Sequence, residues 1–149
     1  MALYSPLISI NEILKVKNRM SISIKPIEYK FPNNIENHEY CLFPDEIEND
    51  EQIFFHGTAE KNFTSIIATG FRIFGDLQSI SFAKNSSLSL KYACQSRCED
   101  SPRGIVLAVR YMCLNQYIVQ ESFGLHVYCF DEQPEIVAYC IVAENYAYR

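Results

Sequence analysis

Short runs of apolar residues, separated by polar turns, fill the part of the chain after residue 50. Ile105 to Tyr111 is an unbroken apolar run, which is typical of a strand buried on both faces. Five further runs predict strands: Gln52 to Phe55, Ser79 to Ala83, Tyr117 to Gln120, Leu125 to Phe130 and Glu135 to Ala143. The pattern therefore predicts about six strands.

Two segments between these strands have helical periodicity instead. Thr58 is the predicted N-cap of the first helix and Gly70 its stop, while Asn85 to Ser87 offer caps for the second. The apolar residues at helical spacing are Phe63, Ile66 and Ile67 in the first helix, and Leu88, Tyr92 and Ala93 in the second. Because strands outnumber helices, we expect an α+β domain of two packed, mainly antiparallel sheets with a few flanking helices.

Residues 1–50 differ from the rest in their charge pattern, which is basic at first and acidic from Glu36 onward. Ser9 to Lys17 has helical spacing, and Ser21 to Ile27 alternates like an edge strand until Pro26 interrupts it. We predict that residues 1–50 are an N-terminal extension that packs on or extends the domain, with a target-binding arm as the alternative. Residues 51–149 are then the domain that carries the chemistry.

Composition narrows the class of protein. A chain of 149 residues that is 48% hydrophobic suits one compact core. Its net charge of -5 argues against a surface that grips nucleic-acid backbones. The six cysteines lack the density of a disulfide scaffold, which favours a reducing, cytoplasmic site of action in its own or a target cell. No apolar run is long enough to span a membrane, and Met1 to Ile10 lacks the basic start of a signal peptide.

The stretch from Phe54 to Ala93 is where the sequence indicates chemistry. The strand that begins at Gln52 is predicted to end on His56 and Gly57, and the glycine would let a ligand approach the backbone. A strand–helix–strand–helix order with a histidine at the first turn predicts a ligand-binding cleft.

Five motifs resemble the ADP-ribosyltransferase superfamily, in its poly(ADP-ribose) polymerase and diphtheria-toxin-like branch. They are His56-Gly57-Thr58, the helix end Gly70-Phe71, Ile80-Ser81-Phe82-Ala83, Lys91-Tyr92-Ala93-Cys94 and Glu135-Ile136-Val137-Ala138-Tyr139. The resemblance covers residues 52–142. Members of that branch carry a histidine, a tyrosine and a glutamate on three separate strands.

The resemblance implies that residues 51–149 form an ADP-ribosyltransferase-like catalytic domain with NAD as its substrate. His56, Gly57 and Thr58 would then bind NAD, and Glu135 would be the catalytic carboxylate, with Glu132 and Glu144 as fallbacks. Loss of nicotinamide develops an oxocarbenium-like cation on the ribose, which one fixed carboxylate stabilises.

The chain departs from that branch at Ser81, which stands where the branch has its tyrosine. A second branch uses arginine, serine and glutamate, and Ser79-Ile80-Ser81 is partly similar to its Ser-Thr-Ser strand. We therefore expect the hydroxyl of Ser81 to bond NAD or the catalytic carboxylate, with an ordinary sheet position as the alternative. The aromatic that stacks on nicotinamide stays open between Phe74, Phe82 and Tyr92.

Gln133 lies two residues before Glu135, so the two side chains would share one face of an extended strand. In the second branch the residue at this offset helps to select the acceptor. The resemblance therefore implies an acceptor-binding role for Gln133, whereas a polar turn residue is the alternative.

The predicted function is a mono-ADP-ribosyltransferase that modifies a macromolecule, a protein rather than a nucleic acid. The size resembles a bacterial toxin or effector, which allows an immunity or regulatory partner. The alternatives are a degenerate member that binds NAD, ADP-ribose or a protein without chemistry, and an NAD glycohydrolase. An enzyme acting on 2′-phosphorylated RNA would need more basic residues in the site.

Two further constellations are weaker. Cys94 with Cys98, and His126 with Cys129, have spacings that loosely resemble zinc ligands, but one pair falls on a helix and the other on a strand. We predict no metal site. A cysteine–histidine nucleophile pair has no orienting partner in the sequence.

Overall fold

The computed structural model describes residues 25–32 and 41–148. The strands are β1 (Ile27–Glu28), β2 (Ile53–Ala59), β3 (Ile80–Ala83), β4 (Gly104–Arg110), β5 (Ile118–Glu121), β6 (Gly124–Val127) and β7 (Glu135–Val142). The helices are α1 (Asp45–Glu48), α2 (Asn62–Thr69) and α3 (Ser86–Gln95). The predicted α+β class is thereby confirmed.

The strands form one sheet in the order β1-β7-β4-β2-β3-β6-β5. All neighbours are antiparallel except β1 and β7. Between β2 and β3 the register holds a single pair, Phe55 with Ala83, whereas β2 and β4 pair along the full length of β2. We expected two packed sheets, but the strands form one sheet with two halves, β1–β7–β4–β2 and β3–β6–β5. Hydrogen bonding crosses between the halves at this one pair, before β2 and β3 diverge.

Two apolar clusters hold the halves in place. The first includes Phe55, Val106 and Ala138 from the β2–β4–β7 half together with Leu90 and Ala93 of α3. The second joins the opposite face of that half to β3 and β6, and includes Phe54, Leu107, Phe82 and Leu125. The two halves therefore pack against each other as well as sharing one ladder.

The strand around His56 is longer than predicted. His56, Gly57 and Thr58 lie inside β2, because pairing with β4 continues as far as Ala59. Thr58 is accordingly not the N-cap of α2, which begins at Asn62. Its hydroxyl instead accepts a hydrogen bond of 2.9 Å from the side-chain amide of Asn62.

Both local helix signals that remain are confirmed. Gly70 ends α2 with a φ of 79°, a conformation that favours glycine. Asn85 caps α3, where its Oδ1 accepts a hydrogen bond of 2.9 Å from the backbone N–H of Leu88.

The described parts of residues 1–50 lie against the sheet. Ile27 and Glu28 pair with Ala138 and Tyr139 at the sheet edge, and Phe43 is buried in the first cluster. The helix predicted from residue 9 and the start of the predicted edge strand fall outside the described residues. The boundary at residue 50 stays a prediction.

Gly57 is required by close packing of α3 on β2. A Cβ atom at this position would lie 1.9 Å from the carbonyl oxygen of Ser89 and 2.8 Å from the backbone nitrogen of Ala93. Both atoms belong to helix backbone, which cannot move without displacing α3 as a whole. The absence of a side chain at Gly57 thus lets α3 pack closely on β2, whereas the sequence suggested that it lets a ligand approach the backbone.

We predict that Gly57→Ala lowers the free energy of unfolding by at least about 1–3 kcal/mol, because the methyl group overpacks the β2–α3 contact. Urea unfolding followed by circular dichroism measures the change. Gly75→Asn is the matched control, since Gly75 has open space around it and a φ of 64° that asparagine tolerates. Equal stability of Gly57→Ala and the parent would contradict this account of the glycine.

Candidate active site

A cleft opens where β2 and β3 diverge. It consists of two concavities of about 570 and 600 Å³, and His56 and Ser81 line both of them. We call the first the α2 pocket, because Asn62, Ser65 and Ile66 of α2 line it, and the second the α3 pocket, because Leu88, Ser89 and Tyr92 of α3 line it. Together they make an elongated site with His56 at its middle.

The backbone of Gly57 faces this opening. Residues of β2 alternate in the direction of their N–H and C=O groups, and the amide of Tyr111 bonds the carbonyl of Gln52 while the amide of Glu60 bonds the carbonyl of Arg103. The even-numbered residues of β2 therefore bond to β4. Gly57, as an odd-numbered residue, directs its N–H and C=O toward β3, beyond the one pair at which the β2–β3 ladder ends.

His56 is fixed by one backbone contact. Its Nδ1 donates a hydrogen bond of 2.9 Å to the carbonyl oxygen of Ser81, so the neutral ring carries its free lone pair on Nε2. The ring also contacts Phe71 and Phe82, with centroid distances of 5.4 and 5.3 Å. Burial lowers the pKa of His56, against a smaller opposing effect of the Ser81 carbonyl. His56 is thereby held as a neutral hydrogen-bond acceptor.

The α3 pocket contains a row of three hydrogen-bonded polar groups. Ser81 Oγ lies 2.8 Å from Nδ1 of His126, and Nε2 of His126 lies 3.3 Å from a carboxylate oxygen of Glu121. Tyr92 lies in the same pocket with about half of its surface exposed. The pocket thus combines an exposed aromatic ring with a carboxylate–histidine–serine row.

The α2 pocket has a different character. Asn62 and Arg72 supply side-chain donors, and Phe74 and Leu77 supply apolar surface. Phe74 is 70% exposed, which leaves its ring free to cover a ligand. Such a mixture suits a planar base attached to a ribose and a phosphate.

The three aromatic candidates for stacking on nicotinamide have different surroundings in the structure. Phe82 is only 2% exposed, and its ring packs among Phe71, Tyr111 and Phe130 in the core. Phe82 also lines the α3 pocket, so its predicted contact with the cofactor stays a prediction, but its core-packed ring favours the other two aromatic residues for stacking. Phe74 lies in the α2 pocket and Tyr92 in the α3 pocket.

Glu135 does not lie in this cleft. It pairs with Arg110 at the start of β7, in the row of Ile53, whereas His56 shares a row with Leu107 and Tyr139. That offset corresponds to about 10 Å along the strands and about 10 Å across them. Its carboxylate lies 3.6 Å from the guanidinium of Arg110, in a smaller pocket that Glu132 also lines. The structure therefore does not bring Glu135 or Glu132 to His56.

Glu144 follows the end of β7, where its backbone carbonyl accepts a hydrogen bond of 3.0 Å from Arg97. It does not line either pocket of the cleft. Its predicted fallback role has no support from its position.

Gln133 clamps the chain that follows α2. Its Oε1 accepts a hydrogen bond of 2.7 Å from the N–H of Phe71, and its Nε2 donates one of 2.8 Å to the carbonyl of the same residue. Its side chain also fills the space that a side chain at Gly70 would occupy. Both amide atoms are thus committed to the backbone of Phe71, which favours a structural role, and the acceptor contact of Gln133 stays a prediction.

Sequence reasoning missed four residues of the cleft: Asn62, Arg72, Glu121 and His126. The signal for the last two was available, because residues i and i+2 of a strand share a face and the β5–β6 hairpin is short. His126 was considered only as a metal ligand or as the histidine partner of a nucleophilic Cys94. Among the residues that the structure describes, no group of three side chains is arranged to hold a metal ion.

The fold and the cleft define a class of protein in which a split sheet presents a histidine, a glycine backbone and a strand serine to one ligand. A family model described as the poly(ADP-ribose) polymerase catalytic domain matches residues 9–119. The chain belongs to this family and therefore to the ADP-ribosyltransferase superfamily, which confirms the predicted resemblance. No curated protein matches the chain closely enough to be counted as a relative.

The family assigns the general activity of an ADP-ribosyltransferase, with NAD as substrate, as predicted. The match includes His56, Gly57, Ser81 and Tyr92, and ends within β5, before His126. None of the helices in the described ranges is long and apolar enough to cross a membrane.

We predict that Gln133→Ala destabilises the fold by about 1–3 kcal/mol, because the N–H and C=O of Phe71 lose their partners in a partly buried place. Thermal and urea unfolding measure this loss. Glu132→Ala is the matched control, since the side chain of the neighbouring Glu132 is exposed and takes no part in the contact between Gln133 and Phe71. Selective loss of transfer in a fully stable Gln133→Ala protein would restore the acceptor role instead.

Proposed function

We propose that this protein is a mono-ADP-ribosyltransferase that binds NAD along the cleft, with nicotinamide in the α3 pocket and adenosine in the α2 pocket. The observation that carries the proposal is the placement of His56, with its free Nε2, between the two pockets and beside the backbone of Gly57. NAD is a molecule of two aromatic ends joined by two riboses and a pyrophosphate. The elongated site is divided in the same way, with one pocket for each aromatic end of NAD.

Nicotinamide is assigned to the α3 pocket by its carboxamide. Its carbonyl accepts the N–H of Gly57 and its amino group donates to the C=O of Gly57, a two-point contact that continues the unfinished ladder of β2. Tyr92 stacks on the pyridinium ring, whose positive charge favours an electron-rich aromatic face. Tyr92 is therefore the aromatic residue assigned to stack on nicotinamide, because Phe82 is buried.

The other half of NAD is assigned to the α2 pocket. His56 Nε2 accepts a hydrogen bond from a ribose hydroxyl, and Asn62 supplies a further donor or acceptor. Arg72 is the cation of this pocket and suits the pyrophosphate. Phe74 covers the adenine.

Transfer of a single ADP-ribose is proposed because chain growth needs a second site for a polyanionic acceptor. The residues that line the α3 pocket include neither lysine nor arginine, which such an acceptor's phosphates would require. The net charge of -5 likewise favours a protein acceptor over a nucleic acid. A toxin or effector role remains part of this proposal, and arrest of growth on expression in host cells tests it.

A second candidate is a member that binds NAD without turning it over. Two observations favour it: Ser81 stands in place of a tyrosine, and Glu135 is ion-paired with Arg110 away from the cleft. The acidic group of the α3 pocket is Glu121, which reaches Ser81 only through His126. Turnover distinguishes the two candidates.

Incubation of the parent protein with NAD labelled in the nicotinamide and in the adenine, with and without cell lysate, tests the proposal. We predict release of nicotinamide together with transfer of one ADP-ribose unit. His56→Ala should weaken NAD binding about fivefold or more in titration calorimetry, because it removes a hydrogen bond worth about 1 kcal/mol.

Lys91→Ala is the control, since Lys91 is an exposed residue of α3 that lines neither pocket. Binding without any release of nicotinamide would establish the non-catalytic candidate. Release without transfer would identify an NAD glycohydrolase. Equal affinity of His56→Ala and the parent would overturn the assignment of the cleft.

A further inference from the structure

We infer that Ser81, His126 and Glu121 form a proton relay that activates a hydroxyl-bearing acceptor, an inference that rests on the proposed transfer of ADP-ribose. The three residues come from three adjacent strands of one half of the sheet. They differ in kind from the single carboxylate that the sequence suggested. The base of the reaction and the chemical class of the acceptor both follow from this relay.

The register of the sheet brings these side chains together. Ser81 on β3 is paired directly with His126 on β6, and His126 is paired with Val119 on β5. Glu121 lies two residues beyond Val119, on the same face of β5, within reach of the histidine. The contacts of 2.8 and 3.3 Å are thus set by strand pairing and do not depend on a loop.

The opposite face of the same half-sheet is apolar. Ile80 and Phe82 of β3, and Leu125 and Val127 of β6, pack into the second cluster. Because alternate residues point to opposite faces, this packing fixes the polar residues on the cleft side. A shift of one residue in register would bury His126, which makes the arrangement of the row a consequence of the core.

The direction of the hydrogen bonds follows from the chemistry of the groups. The carboxylate of Glu121 only accepts, so Nε2 of His126 donates to it and the lone pair of the neutral ring lies on Nδ1. The hydroxyl of Ser81 then donates to Nδ1. Its oxygen keeps its own lone pairs free to accept a proton from a third group.

Ser81 places that free oxygen beside the reacting part of NAD. Its side chain is exposed and lines both pockets, while its carbonyl holds His56. Besides His126, the titratable side chains that line the α3 pocket are Glu121 on β5, His56 on β2 and Tyr92 on α3. Neither a lysine nor an arginine lines this pocket to hold Glu121 in place of the histidine.

The reaction can be written with all atoms and charges in balance. The hydroxyl oxygen of the acceptor forms a bond to C1′ of the nicotinamide ribose, and the bond from C1′ to the pyridinium nitrogen breaks. Its electron pair returns to the ring, so nicotinamide leaves neutral. The acceptor proton passes to Ser81 Oγ as the proton of Ser81 passes to Nδ1 of His126, and Glu121 stabilises the imidazolium that results.

A base of this kind is informative about the acceptor. A carboxylate acceptor is ionised at neutral pH and attacks without losing a proton, whereas a hydroxyl must give up a proton as its bond forms. Histidine titrates in the range that such a base requires. The acceptor is accordingly a hydroxyl group, of a protein side chain or of water.

The first test needs no turnover. NMR of the imidazole nitrogens of His126 shows which of them carries the proton in the parent, in Glu121→Gln and in the control Ser122→Ala, whose residue lies in the same turn. The relay requires the proton on Nε2 and the lone pair on Nδ1, and this preference should weaken in Glu121→Gln, because an amide can donate as well as accept. A proton held on Nδ1 in the parent would overturn the relay.

The second test measures nicotinamide release in the same variants and in His126→Gln and Ser81→Ala. His126→Gln keeps a polar side chain but accepts no proton, so kcat should fall by about 10² to 10⁴ while KM for NAD changes little. The rate of the parent should fall in acid, because the relay needs the lone pair on Nδ1 of His126. That dependence should be absent from the residual rate of His126→Gln, and Ser122→Ala should behave as the parent.

The outcomes separate this inference from the proposed function. A parent that turns over NAD while His126→Gln does so equally well would overturn the relay alone. A His126 that carries its proton on Nε2, in a protein that releases no nicotinamide, would overturn the proposed activity, and the catalytic relay with it. Mass spectrometry of the modified product completes the test: a link to a serine, threonine or tyrosine hydroxyl supports the relay, and a link to an aspartate or glutamate carboxylate overturns it.

Discussion

The divergence of β2 and β3 after a single pair, Phe55 with Ala83, is the constraint on which the rest of this structure depends. The carbonyl of Ser81 is bonded by the ring of His56, at the point where the next backbone pair of the ladder would otherwise form. The backbone of Gly57 is thereby left facing the gap. A sheet that ends its own ladder in this way offers a ligand the pairing that a strand would have taken. The cleft and the exposure of the Gly57 backbone to it both follow from that one event.

The two halves of the sheet differ in what their faces contact. In the β3–β6–β5 half, the apolar face packs into the second cluster and the polar face carries Ser81 and His126. In the other half, close packing of α3 on Gly57 fixes the wall that holds Tyr92. Because the packed face fixes the register of the strands, it also fixes the positions of the polar groups that stand on the opposite side. The site is thus as rigid as the core behind it.

The fate of Glu135 and Gln133 shows where a local pattern misleads. Both lie in a segment that looked like the third motif of the family, and both have definite partners: Glu135 is paired with Arg110 away from the cleft, and Gln133 with the backbone of Phe71 at the edge of the α2 pocket. The segment does form the predicted strand, so the local interpretation of its secondary structure was sound. Its place in the sheet separates Glu135 from the cleft, because β7 pairs with β4 and not with β3. An acidic residue at the start of a strand says nothing about which strands are its neighbours.

Local signals sufficed for the part of the site that is contiguous in sequence. The α+β class and the ends of α2 and α3 at Gly70 and Asn85 could be read from periodicity and caps, since each depends on residues close in the chain. The partnership of Ser81 with His126 and Glu121 could not, because it joins residues 40 or more positions apart through strand pairing. Register is set by the whole core, where Phe82 and Leu125 must be buried together. Sequence by itself therefore determined the family, the strand that carries His56 and the two helices, whereas only tertiary structure decided which carboxylate stands nearest to the cleft.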